Sequence, residues 1–535
     1  MGKRNESPGA PSYGLQIHEP NPMSLIRSAA TVGGTTLISR LLGFLRDVMV
    51  AAALGTGPVA DAFFVAFRFP NMFRSIFAEG AFNSAFVPLF ARRLEGEGEA
   101  AARRFAEDAL AVLLVALLAL TLVAELAMPW IMFVFAPGFS DDPQKFEWAV
   151  EFTRIAFPYL LFISLTALQS AILNSLGRFF PGAAAPVMLN ITLILAILFL
   201  VPLTDNPGRA LSWGVAAAGV VQFLWLAVSL WRAGMVLRLR MPRLTPDVRR
   251  LFRLGVPGVV AGGITQVNLT IGTMIASLQA GAVSWLYYAD RIYQLPLAVI
   301  GIAIGIVLLP ELSRRLRAED HGGASWSQNR AIEFSMLLTV PAAIGAGVLS
   351  HDIIRVLFER GAFTAADTAA TSLALVIYAA GLPAFVLIKV FQPGFFARED
   401  TKTPLRFAAI SIAVNIAVSL ALFVPFGFAG IATGTSVAAW VNAGQLGTRL
   451  YRRGEFTPDA PLARRLPLIL LAAAGMGAAL WFGASALSPF FAGDLLTSIA
   501  ALGLLIAAGV LVYFSLCQIT GAIRLRDLRR AFTRG

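Results

Sequence analysis

The sequence predicts an all-α polytopic membrane protein of about fourteen transmembrane helices. We expect two parallel six-helix lobes around a central cavity and two extra C-terminal helices. The first observation is composition: of 535 residues, 57% are apolar and 14% are charged, whereas a soluble domain carries about 25% charged residues. The second is the clustering of apolar residues into runs of the roughly 20 residues that a bilayer-spanning helix needs. The third is the confinement of Lys and Arg to alternate connections between these runs.

The order of segments begins with a polar stretch, residues 1–24, which we expect to be a disordered cytoplasmic tail. A basic stretch, residues 522–535, is expected to form a second cytoplasmic tail. Fourteen apolar segments lie between them and are the predicted spans. They are 26–55, 59–91, 107–136, 149–175, 183–203, 208–231, 251–278, 285–313, 331–350, 367–394, 404–424, 429–449, 466–487 and 495–520.

The charges on the connections predict the orientation, because Lys and Arg accumulate in short cytoplasmic loops. The connections on the side of the N-terminus carry 32 of the 43 Lys and Arg. Those on the other side carry only Lys145, Arg209, Arg355 and Arg360. This asymmetry predicts a multi-pass protein with both termini in the cytoplasm.

Short internal matches predict two parallel halves. Ala60-Asp61 recurs as Ala289-Asp290 at an offset of 229 residues, and Phe135-x-x-Gly138 recurs as Phe358-x-x-Gly361 at an offset of 223. Because either offset covers six spans, an even number, the two halves have the same orientation. The predicted divisions are an N-lobe at 25–235, a C-lobe at 236–455 and the last two spans at 456–521.

Several classes of function have no support in the sequence. One cysteine and three histidines leave little for disulfides, Cys-based metal sites or imidazole catalysis. The nucleotide-binding and hydrolase motifs G-x-x-x-x-G-K-[ST], H-E-x-x-H and G-x-S-x-G are missing. The net charge of +12 lies between apolar runs rather than on a soluble surface, so we expect no nucleic-acid partner. No cofactor is predicted.

Charges inside the predicted spans carry the functional signal, since each costs at least about 2.5–3.5 kcal/mol at the centre of a span. Arg40, Arg46, Arg74 and Arg291 lie in spans 1, 2 and 8, and pseudo-symmetry would bring them towards one cavity. The planar guanidinium of arginine can donate two parallel hydrogen bonds to phosphate oxygens. The four arginines therefore predict an anionic, phosphorylated substrate. A purely structural role in buried ion pairs stays open for Asp61, Arg68 and Lys389.

Three strings resemble the MurJ (MviN) family of lipid II flippases. The first runs from Ser39 to Asp47 and the third from Ser284 to Arg291. The second runs from Asp61 to Asn71 and continues with Phe77–Phe82 and Phe86–Pro88. Pro393-Gly394-Phe395-Phe396-Ala397-Arg398 and Asp400-Thr401-Lys402-Thr403-Pro404 resemble later motifs of the same family. The resemblance covers about residues 24–450.

The resemblance implies the fold of the multidrug/oligosaccharidyl-lipid/polysaccharide exporter superfamily, with a V-shaped cavity and a hydrophobic groove by the last two helices for a lipid tail. It implies lipid II, the undecaprenyl-diphosphate-linked peptidoglycan precursor, as substrate and the bacterial inner membrane as location. Gln294 departs from a family Glu. The implied substrate-binding residues are Arg40, Arg46, Asp47, Asp61, Arg74, Ser284 and Arg291.

The expected mechanism is alternating access, with the diphosphate and sugars on the arginines while the prenyl chain stays in lipid. Membrane potential or a coupling ion would drive it, and the sequence does not decide between them. Two alternatives remain open: an exporter of another polyprenyl-linked saccharide or a multidrug antiporter, and a membrane enzyme that transfers glycans. Membrane lipids and other cell-wall synthesis proteins are the candidate partners.

Overall fold

The computed structural model describes residues 22–75, 82–491 and 493–522. Most of the predicted N-terminal tail and nearly all of the basic C-terminal tail lie outside these residues. So does the part of the second family string that contains Glu79.

The described residues form eighteen α-helices with short connections and no strand. The N-terminal group is α1 Pro22–Leu54, α2 Pro58–Arg74, α3 Phe82–Glu97, α4 Glu99–Phe135, α5 Pro143–Ala156, α6 Tyr159–Ser175, α7 Phe180–Leu195 and α8 Pro207–Arg232. The second group is α9 Pro246–Ser277, α10 Ala282–Arg317, α11 His321–Val348, α12 Ser350–Phe358, α13 Ala365–Phe396, α14 Lys402–Phe426 and α15 Phe428–Arg452. The last group is α16 Ala460–Ala486, α17 Ser488–Phe491 and α18 Leu495–Thr520.

Each of the fourteen predicted segments coincides with one of these helices or with two consecutive ones. Within the described residues, nine helices are long and apolar enough to cross a membrane by length and composition. The all-helical membrane fold is confirmed, and the count of fourteen spans stays a prediction.

The helix starts reveal an internal repeat with a steady offset. The first residues of α2 and α10 differ by 224 positions. The starts of α5 and α13 differ by 222 and those of α8 and α15 by 221. The offset of 223 read from the Phe-x-x-Gly match agrees with this series. The offset of 229 was wrong, because it pairs the fourth residue of α2 with the ninth of α10.

The two groups of helices also pack in the same way. In the first group α1 contacts α7, α2 contacts α5, and α8 contacts both α6 and α7. In the second, α9 contacts α14, α10 contacts α13, and α15 contacts both α13 and α14. Equivalent helices therefore have equivalent neighbours, as parallel pseudo-symmetric lobes require. The lobe boundaries given above stay a prediction at the residue level.

One end of the bundle is closed by reciprocal contacts between the lobes, and we call it the closed end. The Gly138 amide, after α4, donates to Ser277 Oγ at the end of α9 (3.1 Å). The Ala362 amide, before α13, donates to the Ala52 carbonyl near the end of α1 (2.9 Å). A Cβ at Gly138 or Gly361 would lie only 2.4 or 2.3 Å from the carbonyl oxygen of the facing helix. These glycines thus permit the close approach, and the Phe-x-x-Gly match marks both.

Connections at the opposite, arginine-rich end are held by charged groups. Asp400 accepts hydrogen bonds from the Thr403 amide (2.9 Å), the Thr403 hydroxyl (2.8 Å) and Arg453 Nη1 (2.8 Å). Burial alone would raise the pKa of Asp400, but these hydrogen bonds lower it to about 2. The family motif around Asp400 therefore ties the α13–α14 connection to the end of α15.

Gly361→Ala tests the close approach at the closed end. Gly361 has φ +59°, so a side chain there is strained by about 1–2 kcal/mol even without neighbours. Gly98→Ala is the matched control, because Gly98 has φ +82° but nothing within 4 Å of an added Cβ. We expect the thermal unfolding midpoint in detergent to fall clearly more for Gly361→Ala. Equal shifts would contradict a packing role for this contact.

Candidate functional site

A cavity of about 620 Å³ lies between the two lobes. Its wall includes side chains of α1, α2 and α7 from the first lobe and of α9, α10, α13, α14 and α15 from the second. The polar lining includes Arg46, Arg68, Asn71, Arg74, Gln266, Asn268, Thr273, Asp290, Arg291, Gln294 and Asn415. Three of the four predicted arginines, Arg46, Arg74 and Arg291, therefore reach one cavity.

Arg46 is held on α1 by two neighbours. Its Nε and Nη2 donate to Asp47 Oδ1 (3.1 and 2.7 Å), and its Nη1 donates to Asn190 Oδ1 on α7 (2.9 Å). Both Arg46 and Asp47 are buried, at 8% and 4% exposure. Because the guanidinium is already oriented, a ligand meets it in place rather than ordering a free side chain.

Arg291 approaches the same carboxylate from the other lobe. Its Nε lies 3.8 Å from Asp47 Oδ2, and its guanidinium carbon lies 4.6 Å from the centre of the Tyr287 ring. The Tyr287 hydroxyl donates to Asp47 Oδ1 (3.4 Å). Among the described residues, no acceptor is within hydrogen-bonding distance of the buried Nε of Arg291. This N–H group can therefore donate a hydrogen bond to an anionic ligand.

Further polar groups extend the site along α2 and α10. Arg68 donates to Thr273 Oγ1 of the facing α9. Arg74 donates from Nε to Asn71 Oδ1 (3.0 Å). Gln294 donates to Asp290 Oδ2 one turn before it on α10. The residue that departs from the family Glu is thus an amide that bonds a carboxylate, which a Glu could not do in its charged form.

The charge balance of the cavity is positive. Four arginines line it, and the two carboxylates among the described residues of the site are Asp47 and Asp290. The formal excess is therefore two positive charges in an apolar bundle where unpaired charge is unfavourable. A dianion such as a diphosphate would neutralise this excess.

Asp61 and Ser284 lie at the closed end rather than in the cavity. Asp61 Oδ1 accepts from the Ser284 hydroxyl (2.6 Å) and amide (3.0 Å), and Oδ2 accepts from the Gly281 amide (2.9 Å) and Lys145 Nζ (2.7 Å). Asp61 and Ser284 are each 0% exposed. Asp61 therefore forms a buried ion pair with Lys145. Asp61 of the first lobe thus caps the N-terminus of α10 of the second.

An equivalent set of contacts lies across the pseudo-two-fold axis. Asp367, at the start of α13, accepts a hydrogen bond from the Thr56 hydroxyl between α1 and α2. Trp285 Nε1 also donates to the Thr56 hydroxyl (3.0 Å). Lys145 and Asp367 are 222 positions apart, the offset between α5 and α13. Each lobe therefore contributes one buried carboxylate, Asp61 or Asp367, that accepts hydrogen bonds from the other lobe.

Arg40 lies apart from the other predicted site residues. Its side chain is exposed, it is not among the cavity-lining residues, and it is six positions from Arg46, or about 9 Å along α1. Sequence reasoning missed Asn190 and Lys145, although each had a signal. Asn190 is polar within an apolar span, and Lys145 is one of four basic residues on the side of the chain that is poor in them.

An apolar groove of about 830 Å³ lies beside α16. Its wall is formed by α11, α13, α15, α16 and residues 456–458. The resemblance implied a groove by both of the last two helices, yet α18 is not among the lining elements. Small residues bring α18 against the back of α16: a Cβ on Gly509 would lie 2.8 Å from Leu480, and one on Gly483 would lie 2.8 Å from Leu505. The last helix therefore supports the groove wall.

A double-mutant cycle on Asp61 and Lys145 tests their buried pair. Asp61→Asn should leave Lys145 charged, buried and uncompensated, so we expect it to destabilise strongly, and Lys145→Met should restore part of the loss. The expected coupling free energy is about 1–3 kcal/mol from chemical denaturation in detergent. The control is the exposed pair Arg209–Glu151, with side chains 42% and 36% exposed, for which we expect less than about 1 kcal/mol. Equal coupling in the two pairs would contradict the structural importance of Asp61.

Comparison with known proteins agrees with this geometry. A family model described as lipid II flippase MurJ matches residues 50–501. A probable lipid II flippase MurJ from Rhizobium tropici is 49% identical over 518 residues, which cover 96% of this chain and 97% of the relative. The solved structure of a lipid II flippase MurJ in an inward closed conformation has a TM-score of 0.77 at 26% identity and covers 93% of this chain and 99% of that one.

A more distant structure extends the likeness in fold. An inward-facing multidrug resistance MATE family transporter of the MOP superfamily has a TM-score of 0.66 at 15% identity, covering 80% of this chain and 98% of that one. The match of the family model over most of the sequence, the near-complete overlap with a relative at 49% identity and the common fold lead to one assignment. The chain belongs to the MurJ family of lipid II flippases.

Proposed function

We propose that this protein moves lipid II from the cytoplasmic to the periplasmic leaflet by alternating access. The observation that carries the proposal is a cavity between two pseudo-symmetric lobes, closed at one end and holding an excess of two positive charges. The protein is a multi-pass membrane transporter rather than an enzyme, in keeping with its family.

The diphosphate of lipid II binds to Arg291 and Arg46, with Arg74 completing the site. Arginine stays ionised in a poorly hydrated site and donates two parallel hydrogen bonds to phosphate oxygens. The free Nε of Arg291 and the shared Asp47 support this role, because an incoming anion can replace Asp47 as the partner of Arg291. Asp47 keeps the empty site from holding two uncompensated arginines side by side.

The prenyl chain stays in an apolar environment while the headgroup crosses. The groove beside α16 offers such a surface on the outside of the second lobe. Transfer of the charged headgroup through hydrocarbon would be prohibitive, so the protein supplies a polar cavity for one part of the substrate and an apolar surface for the other.

Alternation requires that the closed end opens. The contacts of Asp61 with α10, and those of Gly138 and Gly361 with the facing lobe, would break together as the lobes rotate. We place the closed end at the periplasm, since the opposite end carries most of the Lys and Arg. The structure then corresponds to a state that receives substrate from the cytoplasm.

Membrane potential is the drive that fits the charge balance best. Moving one charge through 100 mV is worth about 2.3 kcal/mol. With the diphosphate bound the cavity is formally neutral, so it moves outward without electrical work, and the empty cavity, with its two excess positive charges, returns inward with the field of an inside-negative membrane. The same excess disfavours cationic drugs as substrates. A different polyprenyl-diphosphate saccharide remains the second candidate, since the arginines contact the part that such molecules share.

Replacement of the cavity arginines tests substrate binding. Arg291→Ala should lower lipid II translocation in proteoliposomes by about tenfold to a hundredfold, the effect of losing one charge-assisted contact. Arg291→Lys should recover only part, because an ammonium lacks the planar fork. Arg154→Ala is the matched control, since Arg154 is exposed on α5 and donates to the Glu125 carbonyl outside the cavity. Equal losses for Arg154→Ala and Arg291→Ala would reject the site.

Removal of Arg46 and Asp47 together separates binding from structure. If the pair served only to hold helices, the double variant Arg46→Ala/Asp47→Ala would regain abundance and translocation, because no unpaired charge would remain. We expect it to regain abundance without translocation, measured by immunoblot and in the same proteoliposomes.

Cysteine labelling tests the orientation. Cys517 is buried and is the only cysteine of the sequence, so Cys517→Ala gives a cysteine-free background. In intact cells, an impermeant maleimide should label Ser140→Cys and Ala365→Cys and should not label Glu95→Cys or His321→Cys, all four positions being exposed in the structure. Labelling of the second pair from outside would invert the orientation.

A further inference from the structure

Lys389 is a charged residue inside α13 that the site described above does not use. It lies in the interior of the helix, seven residues before its end, and its side chain is exposed. A cation at such a position is unfavourable unless it faces water or an anion. The groups around Lys389 therefore indicate its function.

The helical spacing places Lys389 on the cavity face of α13. Tyr378 and Phe385 of this helix line the central cavity. At 100° per residue, Lys389 lies within about 20° of Tyr378 around the axis and one turn beyond Phe385. Lys389 is not itself among the residues that line the cavity, but it continues their stripe on α13 towards the arginine-rich end.

The opposite face of α13 has a different environment. Val376, Pro383 and Leu387 of this face line the apolar groove. These residues are at least about 140° from Tyr378 around the axis. One helix therefore separates the apolar groove from the polar cavity, and the charge of Lys389 is on the polar side.

The neighbouring helix confirms where the side chain runs. Lys389 Cγ lies 3.6 Å from the position that a Cβ on Gly301 of α10 would take. Gly301 is within about 20° of Asp290 around the axis of α10, so it shares the cavity stripe of that helix. The aliphatic stem rests on α10 and leaves the ammonium free to meet a ligand.

Lys389 has no ionic partner in the part of the chain that the structure describes. No carboxylate oxygen there lies within 4.0 Å of its ammonium nitrogen, although the arginine-rich end contains several ion pairs, such as Arg398–Glu455 and Arg453–Asp400. A structural lysine at this depth would be expected to have such a partner. A lysine that awaits an anionic ligand would not.

We propose that Lys389 binds a second anionic group of the substrate headgroup, a carboxylate of the peptide stem of lipid II, while the diphosphate is on the arginines. This inference rests on the proposed function and extends it. From Arg291 to Gly301, the neighbour of Lys389, α10 rises about 15 Å. An extended peptide covers about 3.3 Å per residue, and the sugar between the diphosphate and the peptide covers part of the distance, so at most four or five residues are needed to bridge the two sites. The pair of sites recognises the headgroup by the separation of its charges.

The test compares two substrates in proteoliposomes: lipid II, and the same polyprenyl-diphosphate disaccharide without its peptide. Translocation of both is measured for the unchanged protein, Lys389→Gln and Lys389→Arg. Lys402→Gln is the matched control, because Lys402 is an exposed lysine at the start of α14 and lies about 140° around the axis from Asn415, the α14 residue that lines the cavity. The quantity compared is the ratio of the two rates, which is independent of how much of a variant is folded.

We expect Lys389→Gln to slow lipid II about tenfold and the peptide-free substrate less than twofold. Lys389→Arg should keep most of the preference, and Lys402→Gln all of it. Equal slowing of both substrates would place the diphosphate, not a carboxylate, on Lys389 and overturn the inference. An unchanged ratio with unchanged rates would remove Lys389 from binding altogether. Failure of the unchanged protein to move either substrate would instead reject the proposed function, and this inference with it.

Discussion

The buried carboxylate of Asp61 is the constraint on which the geometry of the site depends. It is fully removed from water, and four hydrogen-bond donors from both lobes satisfy it. Arg68 follows Asp61 by seven residues on α2, and Arg291 follows Ser284 by seven residues on α10. Seven residues are about two turns, so each arginine lies on the same face as its anchor and about 10 Å deeper. The bond between Asp61 and Ser284 therefore sets the two arginines of facing helices at one level.

The closed end is held by buried charged groups and by close packing between the lobes. Buried charges in good hydrogen-bond geometry fix one arrangement, but the net stability they add over an apolar interface is small because desolvation opposes it. Apolar packing also joins the lobes: the Phe64 ring of α2 stacks on the Tyr287 ring of α10 with centroids 4.0 Å apart, and the Tyr288 hydroxyl donates to the Gly55 carbonyl (3.1 Å). Opening of this end must therefore separate aromatic contacts as well as the hydrogen bonds of Asp61.

Asp47 is buried beside the cavity, and its position between Arg46 and Arg291 allows it two roles. It compensates the charge of the arginines when no substrate is present, and it brings residues of the two lobes into one ion cluster. A substrate that displaces it from Arg291 weakens a contact between the lobes at the moment of binding. Binding and rearrangement are thereby linked by a difference in contacts, which any population shift requires.

Much of this protein was determined by the sequence itself. Hydropathy predicts the helices, because a backbone in lipid must satisfy its own hydrogen bonds. Each predicted segment is helical over the residues that the structure describes. The family was evident from strings such as Ser284 to Arg291, and the arginines pointed to an anion before any geometry was known. What the sequence could not decide is which charged residues meet. Asp61 and Asp47 are alike as intramembrane carboxylates, yet one holds the closed end with Lys145 and the other faces the cavity with Arg291. The packing of the lobes brings Asp61 to Lys145, 84 residues away, and Asp47 to Arg291, 244 residues away. Local sequence patterns do not contain information on such long-range contacts.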